Sequence, residues 1–279
     1  MSDPETYDVY AIRYGSRGGR DAAETFLMNA WSDRSHDFTA DVAYYVWLIT
    51  NENRTVLVDT GFDRAEMERR KQHSGGKWQP DYARSPAEGV AMLGVEPHRI
   101  QDVIVTHLHF DHAGTIDDFP EATFHLQELE MAYATGRYMR HPGLRGAYSV
   151  ELLTNMIRRL FEGRVRFVSG DAEFAPGIEL HLIGGHTMGI QSVRVLTKRG
   201  WVMLASDASH FYDNVYNMAP YPIVYSVGEM LEGFEKLMRL AETPGHIIPG
   251  HDPLVMERYP APTAALDGAA VRLDVAPKT

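Results

Sequence analysis

The sequence predicts an α/β protein of two β-sheets with helices on their outer sides. Strand-like runs come in two sets, one in each half of the chain, and each set is followed by a helical pattern. Composition agrees: 44% hydrophobic and 23% charged residues over 279 positions suit a folded, soluble chain with a sizeable core, unlike disordered, collagen-like or coiled-coil sequences. Length alone allows two domains or one large layered domain.

Taken in order, Tyr7 to Tyr14 alternates weakly, and Val42 to Thr50 is almost entirely β-branched, aromatic or aliphatic, so both read as strands. The polar turn Asn51-Glu52-Asn53-Arg54 leads into Thr55 to Val58, a buried strand that stops at Asp59-Thr60-Gly61. Ser85-Pro86-Ala87-Glu88 is a capping box with proline in the first helical position, which predicts a helix to Leu93 that stops at Gly94. A strand over Asp102 to Val105 follows. In the second half, Val165 to Val168, Ile178 to Ile183, Ser192 to Thr197 and Trp201 to Ala205 read as strands, with Lys198-Arg199-Gly200 turning between the last two. Val227 to Leu240 has Met230, Leu231, Phe234, Leu237 and Met238 on one helical face, and a short strand at Ile247-Ile248 comes after it. Two stretches fit no regular element. Ser16 to Asp41 carries Phe26, Leu27, Met28 and Trp31, and Thr135 to Ser149 carries Tyr138, Met139, Leu144 and Tyr148; long irregular segments of this kind form lids or pocket walls.

Charge and cysteine content narrow the function. Lys plus Arg is 27 and Asp plus Glu is 38, a net charge of −11 that repels phosphate backbones, so no nucleic-acid partner is expected. Cysteine is absent, which removes disulfides, thiolate ligands and cysteine nucleophiles. The acidic, polar start Met1-Ser2-Asp3-Pro4-Glu5 and the lack of an apolar run near the roughly 18 to 20 residues of a membrane span predict a cytoplasmic chain without a membrane partner.

The chemistry is concentrated in Thr106-His107-Leu108-His109-Phe110-Asp111-His112-Ala113-Gly114, directly after a strand. In extended backbone alternate side chains share a face, so His107 and His109 point together while Leu108 and Phe110 point into packing. Asp111 continues that face, and His112 can turn toward the same pocket as the chain bends into a helix. Ionisable groups crowded in this way are costly to pack without a cation. Of the other histidines, His36, His73, His98, His125, His141 and His181 read as solvated or hydrogen-bonded imidazoles.

His107-Leu108-His109-Phe110-Asp111-His112 resembles the HxHxDH signature of the metallo-β-lactamase superfamily. Gly185-His186-Thr187-Met188-Gly189 resembles the family's third histidine loop, with methionine where proline is commoner. Asp207 resembles its bridging aspartate, Pro249-Gly250-His251-Asp252 its last histidine motif, and Val58-Asp59-Thr60-Gly61 its early aspartate. The resemblance runs from Val42 to Pro253 and implies a four-layered αββα sandwich with a dinuclear site at one edge between the sheets. It implies a single domain over 1–279, with lid or pocket segments at 16–41 and 135–149. It assigns His107, His109 and His186 to one metal and Asp111, His112 and His251 to the other, with Asp207 bridging. Asp59, behind the ligands, would accept an N–H from a ligand histidine and fix its tautomer. His246 precedes the strand Ile247-Ile248, whereas the family's ligand follows it, which favours His251. Two divalent ions per chain are implied, zinc first, with iron, cobalt or manganese also suited to these donors.

Two such cations make hydrolysis the generic activity. Within the superfamily, His-Leu-His-Phe-Asp-His-Ala-Gly, Asp207-Ala208-Ser209 and Pro-Gly-His-Asp-Pro are most similar to the N-acyl homoserine lactonase subgroup. That similarity implies a small-molecule lactone as substrate and attack by a metal-bridging hydroxide, with Asp111 returning a proton to the leaving alkoxide. Those lactonases carry a tyrosine three residues after the bridging aspartate. Here the position is His210, with Tyr212 two residues on, and either could donate to the substrate carbonyl. The alternatives are a glyoxalase II-like thioester hydrolase, another dinuclear metallohydrolase, or a non-enzymatic signal-binding protein. A homodimer is compatible with the sequence.

Overall fold

The structure, a computed structural model, describes residues 5–27 and 39–278. Its strands in chain order are β1 (Asp8–Asp21), β2 (Thr39–Thr50), β3 (Thr55–Val58), β4 (Asp81–Tyr82), β5 (Asp102–Ile104), β6 (Thr123–Gln127), β7 (Val165–Val168), β8 (Ala172–Ala175), β9 (Ile178–Leu182), β10 (Gln191–Thr197), β11 (Gly200–Ser206), β12 (Ile247–Pro249) and β13 (Ala270–Arg272). The first sheet runs β13-β1-β2-β3-β5-β6-β7 with β4 paired to β1, and the second runs β12-β11-β10-β9-β8.

The unbroken apolar run of β2 follows from burial on both of its faces. Ala43, Tyr45, Trp47 and Ile49 pack between the sheets with Val9 and Ala11 of β1, Leu180 of β9, Val193 and Val195 of β10, and Val202 and Leu204 of β11. The alternate residues Val42, Tyr44, Val46 and Leu48 pack outward with Val90, Phe124, Met156 and the flank of Leu160, beneath the helices Pro86–Met92 and Val150–Phe161. On the far side, Met203 and Ala205 of β11 and Ile247 of β12 pack against Met230, Phe234 and Leu237 of the helix Val227–Leu240. The order of layers is therefore helix, sheet, sheet, helix, the expected αββα sandwich.

Local chemistry sets the element ends. Ser85 Oγ accepts from the Glu88 N–H at 3.1 Å and Glu88 returns the bond to the Ser85 N–H at 2.7 Å, so the capping box closes as expected. Several elements depart from the sequence reading. β1 continues through the glycine-rich stretch to Asp21, paired with β2, and a short helix spans Ala22–Thr25. Residues 28–38, including Met28, Trp31 and His36, lie outside the described residues. The stretch 135–149 holds two short helices, Arg137–Arg140 and Pro142–Arg145. Met238 is 38% exposed, and the buried line along its helix passes through Gly233, where an added Cβ would meet Ile183 at 2.7 Å.

The pairing directions place the site. β3, β5, β6 and β7 pair in parallel, connected through helices, and β11 pairs in parallel with β12. The C-terminal ends of β3 and β5 consequently open onto one edge of the first sheet, and those of β11 and β12 onto one edge of the second.

Candidate metal centre

At that edge the chain after β3 supplies Asp59, the chain after β5 supplies residues 106–112, the β9–β10 connection supplies His186, and the chain after β11 and β12 supplies Asp207 and His251. Leu108 and Phe110 pack into the outer core while the rings of His107 and His109 meet with centroids 4.5 Å apart, as alternation requires. His107 Nε2, His109 Nδ1 and His186 Nε2 converge at 3.0, 3.2 and 3.0 Å from one another. A second group forms where the short helix Phe110–Ala113 begins: Asp111 Oδ2 lies 3.8 Å from His112 Nε2 and 3.6 Å from His251 Nε2.

Asp207 stands between the groups. Its Oδ1 is 3.2 Å from His112 Nε2 and 3.0 Å from His251 Nε2, and its Oδ2 is 3.4 Å from His186 Nε2 and 3.9 Å from His107 Nε2. The close approach depends on Gly250, where a Cβ would meet Asp207 Oδ1 at 2.6 Å. All seven sequence-predicted ligands are buried and brought together here.

The outward nitrogens fix how the rings present themselves. His186 Nδ1 donates to the Ile223 carbonyl and His251 Nδ1 to the Ala43 carbonyl, both at 2.8 Å, which leaves each Nε2 facing inward. His112 Nδ1 donates to Asp59 Oδ2 at 2.7 Å. Asp59 also accepts from the Thr106 N–H at 2.7 Å, the Thr106 hydroxyl at 2.8 Å and the Ser206 hydroxyl at 3.3 Å, and it holds φ +62°, a conformation aspartate tolerates. The Thr106 hydroxyl, committed to Asp59, accepts from His107 Nδ1 at 3.1 Å.

The donors fit divalent cations. Convergence of three imidazole nitrogens, two with their protons held on the far side, is repulsive without a positive charge between them. Zinc–nitrogen bonds of about 2.0–2.1 Å in a tetrahedron put nitrogens about 3.4 Å apart, close to the observed spacing. In the second group, His112 Nε2 and Asp207 Oδ1 are buried without a hydrogen-bond partner among the described residues. Burial, with the neighbouring imidazoles, holds His107 and His109 well below the usual histidine range and brings His186 down to about 4. Burial also depresses His112 and His251, but for His112 the carboxylates of Asp207, Asp111 and Asp59, and for His251 those of Asp207 and Asp111, outweigh it and raise both. Burial would raise Asp207; His251, His112 and His210 overcome it and hold the carboxylate well below its ordinary range.

Two expectations need correction. Tyr212 opens a short helix and turns into the core between the sheets, with Arg258 4.0 Å over its ring and Asp252 accepting its N–H, so it does not face the cluster. His210 does reach the cluster, but its Nε2 is engaged by Asp207 Oδ2 at 3.0 Å and its Nδ1 is buried without a partner, so neither nitrogen is presented to open space. Its ring stacks on Tyr221 at 3.8 Å, and the Tyr221 hydroxyl donates to the Asp207 carbonyl. Tyr221, Ser206 and Glu130 were not foreseen; only Tyr221, between two prolines, carries a local signal, that of a fixed turn, whereas Tyr148 belongs to the stretch expected to form a pocket wall. His125 and His181 pair with Asp102 and Asp171 at 2.8 and 3.0 Å, and His246 bonds to Thr243 and the Arg199 carbonyl, each outside the cluster.

Leu27, from the first irregular stretch, and the stretch 135–149 border this edge. The Leu27 N–H donates to the Pro220 carbonyl at 2.7 Å, beside Tyr221, and the Tyr148 ring lies 4.5 Å edge-on to His109. Tyr138 packs against Tyr133 and Tyr225, and the Tyr225 N–H bonds to the Gly185 carbonyl in the His186 loop. Among the described residues no helix is long and apolar enough to cross a membrane.

A layered sandwich with a histidine and aspartate cluster between its sheets defines a class of metal-binding hydrolase folds, and residues 40–257 match the model of the metallo-beta-lactamase superfamily. The chain belongs to that superfamily. It is similar to an N-acyl homoserine lactonase of Bacillus sp., 29% identical over 190 residues that make up 65% of this chain and 70% of that protein. It is also similar to the N-acyl homoserine lactonase AttM of Rhizobium johnstonii, 28% identical over 241 residues, 80% of this chain and 86% of that one. The fold is similar to that of a solved N-acyl homoserine lactone hydrolase with the product N-hexanoyl-L-homoserine bound at its catalytic metal centre, with a TM-score of 0.72, 23% identity, and coverage of 91% of this chain and 96% of the other.

Proposed function

We propose that this protein is a dinuclear metal-dependent lactonase that opens the ester ring of an N-acyl homoserine lactone or a chemically similar small lactone. The observation that carries the reading is Asp207, one oxygen toward each of two ligand groups, supported by relatives that are N-acyl homoserine lactonases. His107, His109 and His186 would hold one ion, Asp111, His112 and His251 the other, and zinc suits both donor sets. When bound, the two cations supply polarisation of the ester carbonyl and activation of water as the nucleophile.

The chain's own residues perform the rest. Asp59 keeps the His112 proton on Nδ1, so that Nε2 is free to bind. His210 and Tyr221, bonded to the Asp207 Oδ2 and carbonyl, would steady the bridging carboxylate, His210 acting from behind it and not as a donor to the substrate. Asp111 has the more exposed carboxylate, 10% against 4% for Asp207; with Oδ2 facing the ligand group, its Oδ1 would take up the proton released by the attacking water and pass it to the departing alkoxide oxygen. Water is consumed, the ring C–O bond breaks, and a carboxylate and an alcohol remain in one molecule. Tyr138, Tyr225 and Met188, half-buried beside the His186 loop, would form the wall against the acyl group. Supplying metal-reconstituted protein with N-acyl homoserine lactones and following acid release should show ring opening that ceases in Asp207→Ala. Failure to open any lactone while a thioester is cleaved would overturn the substrate assignment.

A further inference from the structure

Glu130, fully buried in the helix Glu128–Ala134, has no Lys or Arg paired with it among the described residues, yet its carboxylate is saturated with donors. Oε1 accepts the Leu108 N–H at 3.0 Å and the Tyr148 hydroxyl at 2.9 Å; Oε2 accepts the Thr187 hydroxyl at 2.6 Å and the Gly189 N–H at 3.2 Å. Four bonds fill the four lone-pair positions of a carboxylate. Leu108 stands between His107 and His109, Thr187 follows His186, and Tyr148 packs on the His109 ring. The His186 loop lies directly on this helix: a Cβ at Gly189 would meet the Glu130 nitrogen at 2.1 Å. One side chain thus joins the ligand segment of the first sheet to that of the second.

We propose that Glu130 is the positioning residue for the His107, His109 and His186 site, fixing the two segments in one geometry for a divalent cation as Asp59 does for His112. The proposal rests on the dinuclear reading above. Each Glu130 oxygen faces one backbone N–H, and a backbone donor cannot reverse its role. Glutamine must therefore set its NH2 against either Leu108 N–H or Gly189 N–H, although its size is unchanged.

The test is titration of metal-free protein with Zn2+ against a chelating dye, with bound metal measured by elemental analysis and folding by thermal melts. The wild type should take two ions. In a His251→Ala background, where the remaining tight ion belongs to the three-histidine site, Glu130→Gln should weaken that ion by about 10–100-fold. In a His186→Ala background Glu130→Gln should leave the remaining ion unaffected. Equal weakening in both backgrounds, or none in either, overturns the proposal. Should Glu130→Gln fail to fold, Thr187→Val and Tyr148→Phe each remove one donor and should produce a smaller loss confined to the same site; unchanged affinity there overturns it equally. A wild type that binds fewer than two ions refutes the dinuclear reading itself, a result distinct from the others.

Discussion

Asp59→Asn is the substitution whose effect can be worked out most fully. Asparagine fits the space and tolerates the +62° φ of this position, so the backbone has no reason to move. The Thr106 N–H lies 2.7 Å from Oδ1 and demands an oxygen there, which leaves the new NH2 in place of Oδ2, facing His112 Nδ1. His112 must then turn that nitrogen into an acceptor and carry its proton on Nε2, the atom that faces Asp111 and Asp207. The lost bond is charge-assisted, worth about 1.5–3 kcal/mol. Loss of a partner that orients a metal ligand costs about 10–100-fold in affinity, which at about 1.4 kcal/mol per tenfold is the same range. Zn2+ titration should therefore show one ion bound as in the wild type and one weakened by about that factor, with lactone turnover falling in parallel at limiting metal. Wild-type affinity for both ions in Asp59→Asn would refute the tautomer reasoning. Asp59→Ala should fare worse, adding about 1–2 kcal/mol of left-handed backbone strain and leaving the buried Thr106 N–H unpaired, with a lower melting temperature.

Gly250→Ala should deplete both ions, because its methyl group would sit 2.6 Å from Asp207 Oδ1 and push the bridge aside; elemental analysis checks this. Lowering the pH should release the ion at Asp111, His112 and His251 first. Metal must displace protons from the raised His112 and His251, so affinity there falls as pH falls, whereas His107, His109 and His186 are already neutral; metal content against pH reads the order of loss. His210→Phe keeps the stack on Tyr221 but removes the bond to Asp207, and should lower kcat while metal content stays at two, as steady-state kinetics on metal-loaded protein would show. Tyr138→Ala should change KM among lactones of different acyl length more than it changes metal content, measured across a chain-length series.

What could be read in the sequence was local chemistry. His107 to His112 announces itself because four ligand-type side chains in six residues have few other uses, and Ser85, Glu88 and Gly94 delimit a helix because caps act within one turn. The helix Arg64–His73 escaped the reading because it has no apolar stripe; Asp63 caps it through the Glu66 N–H, and Glu66 holds Arg69 and Arg70, each at 2.6 Å. Glu130 escaped for a different reason. Nothing near it distinguishes a buried glutamate from Glu128 two residues earlier, and its partners lie 18 to 59 positions away. Tyr212 was misplaced because spacing from Asp207 says nothing of direction, and the turn of a helix starting at that residue sends its ring into the core. Side chains that coordinate are legible from their neighbours in the chain; those that brace them across the two sheets are legible only once the sheets are packed.

The most direct test of the central claim is to present the two-metal protein with N-hexanoyl homoserine lactone, a thioester and a phosphodiester side by side, and to identify the products by mass. The expected product is ring-opened N-hexanoyl homoserine, heavier than the lactone by one water, formed only when both ions are bound and lost on removal of either. Rapid cleavage of the thioester or phosphodiester with the lactone left intact, in protein shown to hold both ions, would contradict it.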